Sequence, residues 1–360
     1  MKKVKWLLAG AGDIGIRRVG PALVDAKNSE LVAICDLSQE RAARLASSLN
    51  VKTVFTDYDK ALAESGADAV YIATPQGAHI EMSLKALKAG KHLLCEKPLG
   101  LNGAECLRLL EAVRKSDRIT SCSNYRRLSA QYKLTDAMLK RQEIGKLVGG
   151  WAVYSTPFYN PSNQPMKKAL GMSRIKELGF YQIDIAQNLF GMPSSVMAQA
   201  SIINKAVMND VEDIATVVLK FPGGEIFTII FNCSSPGTRH ELEFFGTEGR
   251  IYWPEWPPHG NGPVYKITRS GTEKFEAHTS FLPHGKAGMP ALRQSGIAGL
   301  GGKKPAENWH LPMIEDYVDA VLKGRQPVCT IESAVKTEII TDAIFRSIES
   351  GKLEPVVWEK

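Results

Sequence analysis

The stretch Gly10-Ala11-Gly12-Asp13-Ile14-Gly15 constrains this chain more than any other. It fits G-x-G-x-x-G, follows the apolar run Val4–Ala9 and opens a helix-like segment over 13–27 with Ile14, Val19, Leu23 and Val24 apolar. The first glycine permits a tight turn, the second lets backbone approach a pyrophosphate, and the third lets the helix pack on the strand. N–H groups and the dipole at the helix start would then face phosphate oxygens. Alone the pattern is weak, because glycine turns are common. Here Asp36 ends a second buried strand, Glu30–Cys35, about 20 residues past the last glycine, where a ribose-binding carboxylate is expected. The spacing therefore predicts dinucleotide binding. A carboxylate there accepts ribose hydroxyls and repels a 2′-phosphate, which favours NAD over NADP. NADP stays open, because Arg41 could swing toward such a phosphate.

The pattern that follows supports this. Strand-like runs at Val51–Phe55, Ala69–Ala73 and His92–Cys95 alternate with helical segments at 38–49, Tyr58–Glu64, His79–Ala89 and 102–115. Strands alternating with helices predict βαβ units and a doubly wound parallel sheet over 1–125. Beyond that point the strands are longer and alternate: Leu147–Tyr154, Val196–Ile203, Ala215–Phe221, Glu225–Asn232, Glu241–Gly246 and Val264–Arg269. One helix is expected at about 174–190, and two close the chain at about 310–323 and 332–349. Residues 126–360 thus form a second, α+β domain with a mainly antiparallel sheet, and the helices of 310–350 are free to pack back on the first. The Gly-, Pro- and Lys-rich segment 281–305 reads as a long loop of the kind that serves as a lid.

Several classes are excluded. Hydrophobic residues make up 44% and charged residues 23%, which rules out disorder for the bulk of the chain. No apolar run reaches the ~18–20 residues of a membrane span, and Trp6–Ala11 is too short for a signal-peptide core. A cytoplasmic protein is expected. The six cysteines are scattered without CxxC spacing, so they read as reduced core thiols, and no metal site is expected. The net charge of +7 is dispersed, with Arg126-Arg127 the tightest knot, so nucleic acid is not an expected partner.

Two segments end strands at the edge where a doubly wound sheet receives its ligand. Ala73-Thr74-Pro75, with His79 one turn on, reads as a helix start that also touches cofactor. Cys95-Glu96-Lys97-Pro98 is either a surface salt-bridge turn or a charged pair aimed into the crevice. Pro98 fixes the backbone there, and an X–Pro bond can be cis. Lysine beside a nicotinamide could stabilise an alkoxide or donate a proton. On the 174–190 helix, Glu177, Tyr181, Asp184 and Asn188 share one face, which is either wet or an acid/base face. Trp253, Trp256 and His259, among Pro254, Pro257, Pro258 and Pro263, read as packing, an interface or a sugar-stacking wall.

The series GAGDIG, CD, ATPQGAH and AGKHLLCEKPL resembles the Gfo/Idh/MocA family of nicotinamide-dependent sugar and polyol oxidoreductases, over nearly the whole chain. The resemblance implies a Rossmann domain followed by an open-faced sheet that often mediates homo-oligomerisation, as dimer or tetramer. It places the family's EKP lysine at Lys97. The family motif D-x-G-x-H-x-x-D is similar to Glu177-Leu178-Gly179-Phe180-Tyr181-Gln182-Ile183-Asp184, with Tyr181 where histidine is usual, as in branches resembling glucose–fructose oxidoreductase and dihydrodiol dehydrogenase. The implied catalytic set is Lys97, Tyr181 and Glu177. The cofactor set is Gly10, Gly12, Asp13, Ile14, Gly15, Asp36, Arg41, Thr74, Pro75, His79, Glu96 and Lys97. Arg126, Asp184 and His284 are substrate candidates. The expected activity is hydride transfer between NAD and a secondary hydroxyl of a sugar, polyol or derivative. Its rivals are an enzyme cycling a retained NAD within one turnover and a silent NAD-binding sensor.

Overall fold

The computed structural model describes residues 2–157, 173–208, 210–256, 260–278 and 308–358. They divide into two compact units, one of residues 2–125 with 308–332 and one of 126–278 with 333–358.

In the first unit the strands are β1 (Val4–Ala9), β2 (Ser29–Cys35), β3 (Thr53–Phe55), β4 (Ala69–Ile72), β5 (His92–Cys95) and β6 (Thr120–Cys122). All pair in parallel, in the order β3-β2-β1-β4-β5-β6. β1, β4 and β5 are almost wholly buried because helices cover a parallel sheet on both faces, which explains their unbroken apolar runs. The connecting helices are α1 (Gly20–Asp25), α2 (Gln39–Ser48), α3 (Tyr58–Glu64), α4 (His79–Lys88) and α5 (Gly103–Arg114). α1 is entered through a π-helical turn, Gly15–Val19. Ser38, Asp57 and Asn102 cap α2, α3 and α5 by accepting from N–H groups three residues on.

The second unit begins with α6 (Ala130–Lys140). Its sheet comprises β7 (Leu147–Ser155), β8 (Ser195–Ser201), β9 (Ile214–Lys220), β10 (Ile226–Asn232), β11 (Arg239–Gly246), β12 (Gly249–Trp253), β13 (Gly262–Thr268), β14 (Gly271–Ala277) and the short β15 (Glu354–Pro355). The order is β14-β13-β12-β11-β7-β10-β9-β8-β15, antiparallel except where β10 runs with β7. One face buries Phe227, Ile229 and Phe231; the other leaves Ile226 and Ile230 exposed between them, the alternation of a one-sided sheet. Phe190 stacks on Phe221 with ring centroids 4.9 Å apart and closes the buried face.

One expectation is corrected. The helix expected at 174–190 is two, α7 (Arg174–Glu177) and α8 (Phe180–Phe190). A Cβ at Gly179 would stand 2.4 Å from the Ile175 carbonyl and 2.5 Å from the Phe231 ring, so the chain turns there against the sheet. The units divide after residue 125, and the two closing helices go to different units. After α9 (Lys205–Met208), α10 (Leu311–Lys323) returns to the first unit, whereas α11 (Ile331–Ser350) joins the second unit from Ser333 onward. The apolar stripe of α10 explains the return: Tyr317 is fully buried, lies 5.2 Å from the Trp6 ring and donates to the Ile119 carbonyl at 2.9 Å.

Tyr317→Ala removes an aromatic core side chain and one of the two donors to that carbonyl, the other being the Leu93 N–H at 3.0 Å. A loss of about 3–5 kcal/mol is expected in denaturant unfolding, whereas Tyr317→Phe should lose about 1 kcal/mol.

Candidate active site

The carboxyl ends of β1, β2, β4 and β5 carry the polar groups of the first unit. Gly10 has φ +109°, and a Cβ on it would stand 2.4 Å from the Ala73 carbonyl oxygen, so the β1 and β4 ends touch only because it is glycine. A Cβ on Gly15 would stand 2.5 Å from the Gly10 oxygen, whereas at Gly12 nothing lies within 4 Å. The helix beginning at Gly15 has no side-chain cap. Asp13 is exposed and ion-pairs with Arg17, and Ile14 is the residue before the first turn. This tight turn with an open face and uncapped N–H groups fits a dinucleotide pyrophosphate.

Asp36 closes the turn from the β2 side. Its carboxylate accepts from the N–H of Ala11 at 2.8 Å and of Ser38 at 2.9 Å. Arg41 donates to it through Nε at 3.2 Å and Nη2 at 2.8 Å. Burial works to raise this carboxyl, but the two N–H groups and the guanidinium together hold it below its ordinary value. The cation that could meet a 2′-phosphate is thus engaged by the carboxylate that would repel one.

His79 ties two of these loops together. It is 2% exposed, with Nδ1 2.9 Å from the Pro98 oxygen and Nε2 2.9 Å from the Thr74 oxygen. Burial lowers its pKa, so the ring is neutral at pH 7 and donates to one carbonyl at a time. Thr74 meets the Met82 sulfur at 3.6 Å, and Pro75 precedes the 3₁₀ turn Gln76–Ala78. The Lys97-Pro98 peptide is cis.

Glu96 is surrounded by donors. Its Oε1 accepts from Tyr71 Oη at 2.7 Å and Ser123 Oγ at 3.1 Å and lies 3.2 Å from His310 Nε2; Oε2 accepts the Lys97 N–H at 3.1 Å. Burial would raise this carboxyl strongly, yet His310, Tyr71 and the Lys97 charge bring it down to about 2. The surface-turn reading of this segment is thereby set aside for Glu96, whereas Lys97 is half-buried. His310 belongs to Asn308-Trp309-His310. Asn308 Nδ2 donates to the Arg18 carbonyl at 2.8 Å, and the Arg18 guanidinium lies 3.9 Å from the Trp309 ring centroid. Sequence reasoning missed Tyr71, Ser123 and His310, since no spacing rule links them to Glu96. The one local signal was a polar–aromatic triplet just before the α10 helix.

In the second unit, Tyr181 is 6% exposed near the start of α8, and the Arg126 guanidinium lies over its ring at 4.6 Å. Asp184, one turn on, accepts from Arg127 Nε at 2.7 Å and Nη2 at 2.6 Å, and from Thr337 at 3.3 Å. Asn188 accepts from Arg127 Nη1 at 2.8 Å. Glu177, across the helix break, is ion-paired with Arg174 at 2.8 Å. Trp253 and Trp256 are both fully buried; Trp253 Nε1 donates to Thr135 at 2.9 Å. His284, the 281–305 segment, His259, Pro257 and Pro258 lie outside the described residues. All six cysteines are buried free thiols. No described helix is long and apolar enough to cross a membrane.

Comparison with known proteins identifies the family. Residues 4–124 match the model of an oxidoreductase family with an NAD-binding Rossmann fold, and residues 132–252 match a GFO/IDH/MocA C-terminal domain. An uncharacterised oxidoreductase of Rhizobium meliloti is 28% identical over 99% of this chain and 100% of its own. Myo-inositol 2-dehydrogenase of Thermotoga maritima is 26% identical over 67% of this chain and 74% of its own. Levoglucosan dehydrogenase, solved with NADH and levoglucosan, superimposes with a TM-score of 0.83 at 21% identity, covering 99% of this chain and 100% of that one.

Two outcomes follow from the paired carboxylates. Wild type should bind NAD(H) more tightly than NADP(H); Asp36→Ala should narrow that gap by freeing Arg41, and Arg41→Ala should widen it by leaving the carboxylate bare. Dissociation constants of the three proteins for both cofactors check this. Glu96, with a folded pKa of about 2 against an ordinary 4.5, stabilises the fold fully above pH 4.5 and loses that contribution as pH falls toward 2. Glu96→Gln should flatten the dependence of unfolding free energy on pH across that window, as read by denaturant titrations at several pH values.

Proposed function

Because this chain belongs to the Gfo/Idh/MocA oxidoreductase family and is an NAD-binding enzyme acting on CH–OH groups, we propose that it oxidises a secondary hydroxyl of a sugar or polyol through Lys97 and Tyr181. The observation that carries the reading is the buried Glu96 carboxylate directly before Lys97. A carboxylate held ionised by three side chains keeps a fixed negative charge one residue before the lysine.

The bound nicotinamide supplies a hydride acceptor. The protein supplies the rest. Gly10, Gly12 and Gly15 receive the pyrophosphate, and Asp36 receives the ribose. Lys97 Nζ stabilises charge developing on the substrate oxygen as the C–H bond breaks; a compact ammonium suits that task better than a guanidinium fork. Tyr181 Oη takes the hydroxyl proton. Glu177, paired with Arg174, orients rather than reacts, and Asp184 positions α8 by holding Arg127. Self-association uses the open face of the second-unit sheet, where Ile226 and Ile230 are exposed and Trp151, Tyr252 and Tyr265 form a row with neighbouring centroids 6.3 and 6.4 Å apart.

Lys97→Ala and Tyr181→Phe should each lower kcat by about 10²–10⁴-fold while NAD binding and folding persist. The wild-type pH–rate profile should carry a limb that Tyr181→Phe lacks. Near-normal turnover in Tyr181→Phe places the base elsewhere, and a third of wild-type turnover in Lys97→Ala makes that lysine structural.

A further inference from the structure

We propose that Arg126 binds a carboxylate of the substrate, so that the sugar taken by this enzyme is a sugar acid, of the hexuronate or aldonate class. The inference rests on the reading that Tyr181 faces the reacting hydroxyl, because Arg126 is in contact with that ring.

Arg126 is 4% exposed. Its guanidinium carbon lies 4.6 Å from the Tyr181 ring centroid and 4.1 Å from that of Trp256. Both contacts are to ring faces, which attract a cation but satisfy none of its N–H groups in the plane of the fork. Among the described residues, Arg126 Nε and Nη1 meet no hydrogen-bond acceptor, and neither does the buried Nε1 of Trp256 beside it. A buried cation without an anion is costly, and two π faces offset only part of that cost.

The adjacent residue shows what a satisfied arginine looks like in this unit. Arg127 is equally buried, yet it gives Nε and Nη2 to both oxygens of Asp184 and Nη1 to Asn188. Asp184 is therefore taken. His240, which feels the Arg126 charge, supplies no compensation: burial first, and Arg126 second, push it down to about 4, so it is a neutral ring at pH 7. It stacks on Tyr154 with centroids 4.0 Å apart. Two neighbouring cations thus share one protein carboxylate among the described residues, and the structure leaves the second to a ligand.

The chemistry narrows that ligand. A single uncompensated guanidinium balances one negative charge, and its planar fork matches the two oxygens of a carboxylate. A phosphate monoester, with about −1.5 to −2 charges at pH 7, would keep an excess that no second free cation meets among these contacts. A neutral sugar would leave the guanidinium as it is. Because the fork is in contact with Tyr181, a carboxylate bound there fixes the sugar chain beside the proposed base.

The test compares matched pairs on the NAD-loaded enzyme: D-glucuronate with D-glucose, D-galacturonate with D-galactose, and D-gluconate with D-glucitol. Calorimetric binding and NADH formation are both recorded. At least one acid should bind wild type about 100-fold more tightly than its neutral partner, as expected for a charged hydrogen-bonded contact. Arg126→Gln should reduce that preference to within about 5-fold while NAD binding is unchanged, and Arg126→Lys, which keeps the charge but not the fork, should fall between. Neutral sugars binding as well as acids, no acid binding, or a preference that survives in Arg126→Gln overturns the proposal. Should the glutamine variant fail to fold, the wild-type pairs and Arg126→Lys still decide. Arg126-dependent acid binding without NADH formation sinks the assigned reaction but keeps this inference; turnover of neutral sugars with no acid binding does the reverse.

Discussion

A buried carboxylate is stable in a protein only when donors surround it, and in the first unit that condition organises much else. Glu96 draws Tyr71 from β4, Ser123 from just beyond β6 and His310 from the approach to α10 onto one pair of oxygens. None of these residues could leave without exposing the others to an unsatisfied charge. The position of Lys97 follows, since its own N–H is the fourth donor. So does the course of residues 308–310, which reach Glu96 at one end and the carbonyl of Arg18 at the other. One anion thereby links the turn after β5, which bears the lysine, to the helix that follows the glycine turn.

The second unit solves the same problem with opposite sign. Its buried cations include Lys176, paired with Glu338 at 3.1 Å, and Arg127, forked onto Asp184. These pairs fix α7 and α8 to α11, because Glu338 and the Asp184 partner Thr337 both lie there. Such pairs set geometry more than stability, since desolvation cancels much of the attraction. The face of α8 that carries Tyr181 is thus held in register by charges that do no chemistry.

Legibility in the sequence followed the range of the interactions. β1 and β5 were readable residue for residue, because a parallel strand is buried on both faces and its apolar run is its boundary. The meeting of Asp36 with the glycine turn was readable because their spacing in the sequence brings the end of the second strand beside the first. The break at Gly179 was not: apolar and polar periodicity runs through it, and the obstacle is the Phe231 ring from another strand. β14 was missed because Gly271–Ala277 is an edge strand rich in charge, with little apolar alternation to show. His310 was invisible for the plainest reason, lying 214 residues from the carboxylate it serves. Arg126 and Arg127 look alike in sequence, and only coordinates separate the one with a carboxylate from the one with two rings.

That separation along the chain also bears on how the protein is made. The first unit needs residues 308–332, yet the ribosome must first produce the intervening stretch, about 180 residues, which at roughly 5–20 residues per second takes on the order of ten to forty seconds. Throughout that interval the parallel sheet exists without α10, so the side of β1 that meets Tyr317 is bare and Glu96 lacks one of its donors. A nascent chain in this state presents an apolar strip and an under-compensated carboxylate together. The dinucleotide fold is completed only once residues 126–307 have been synthesised, and the second unit only once residues 333–358 have followed.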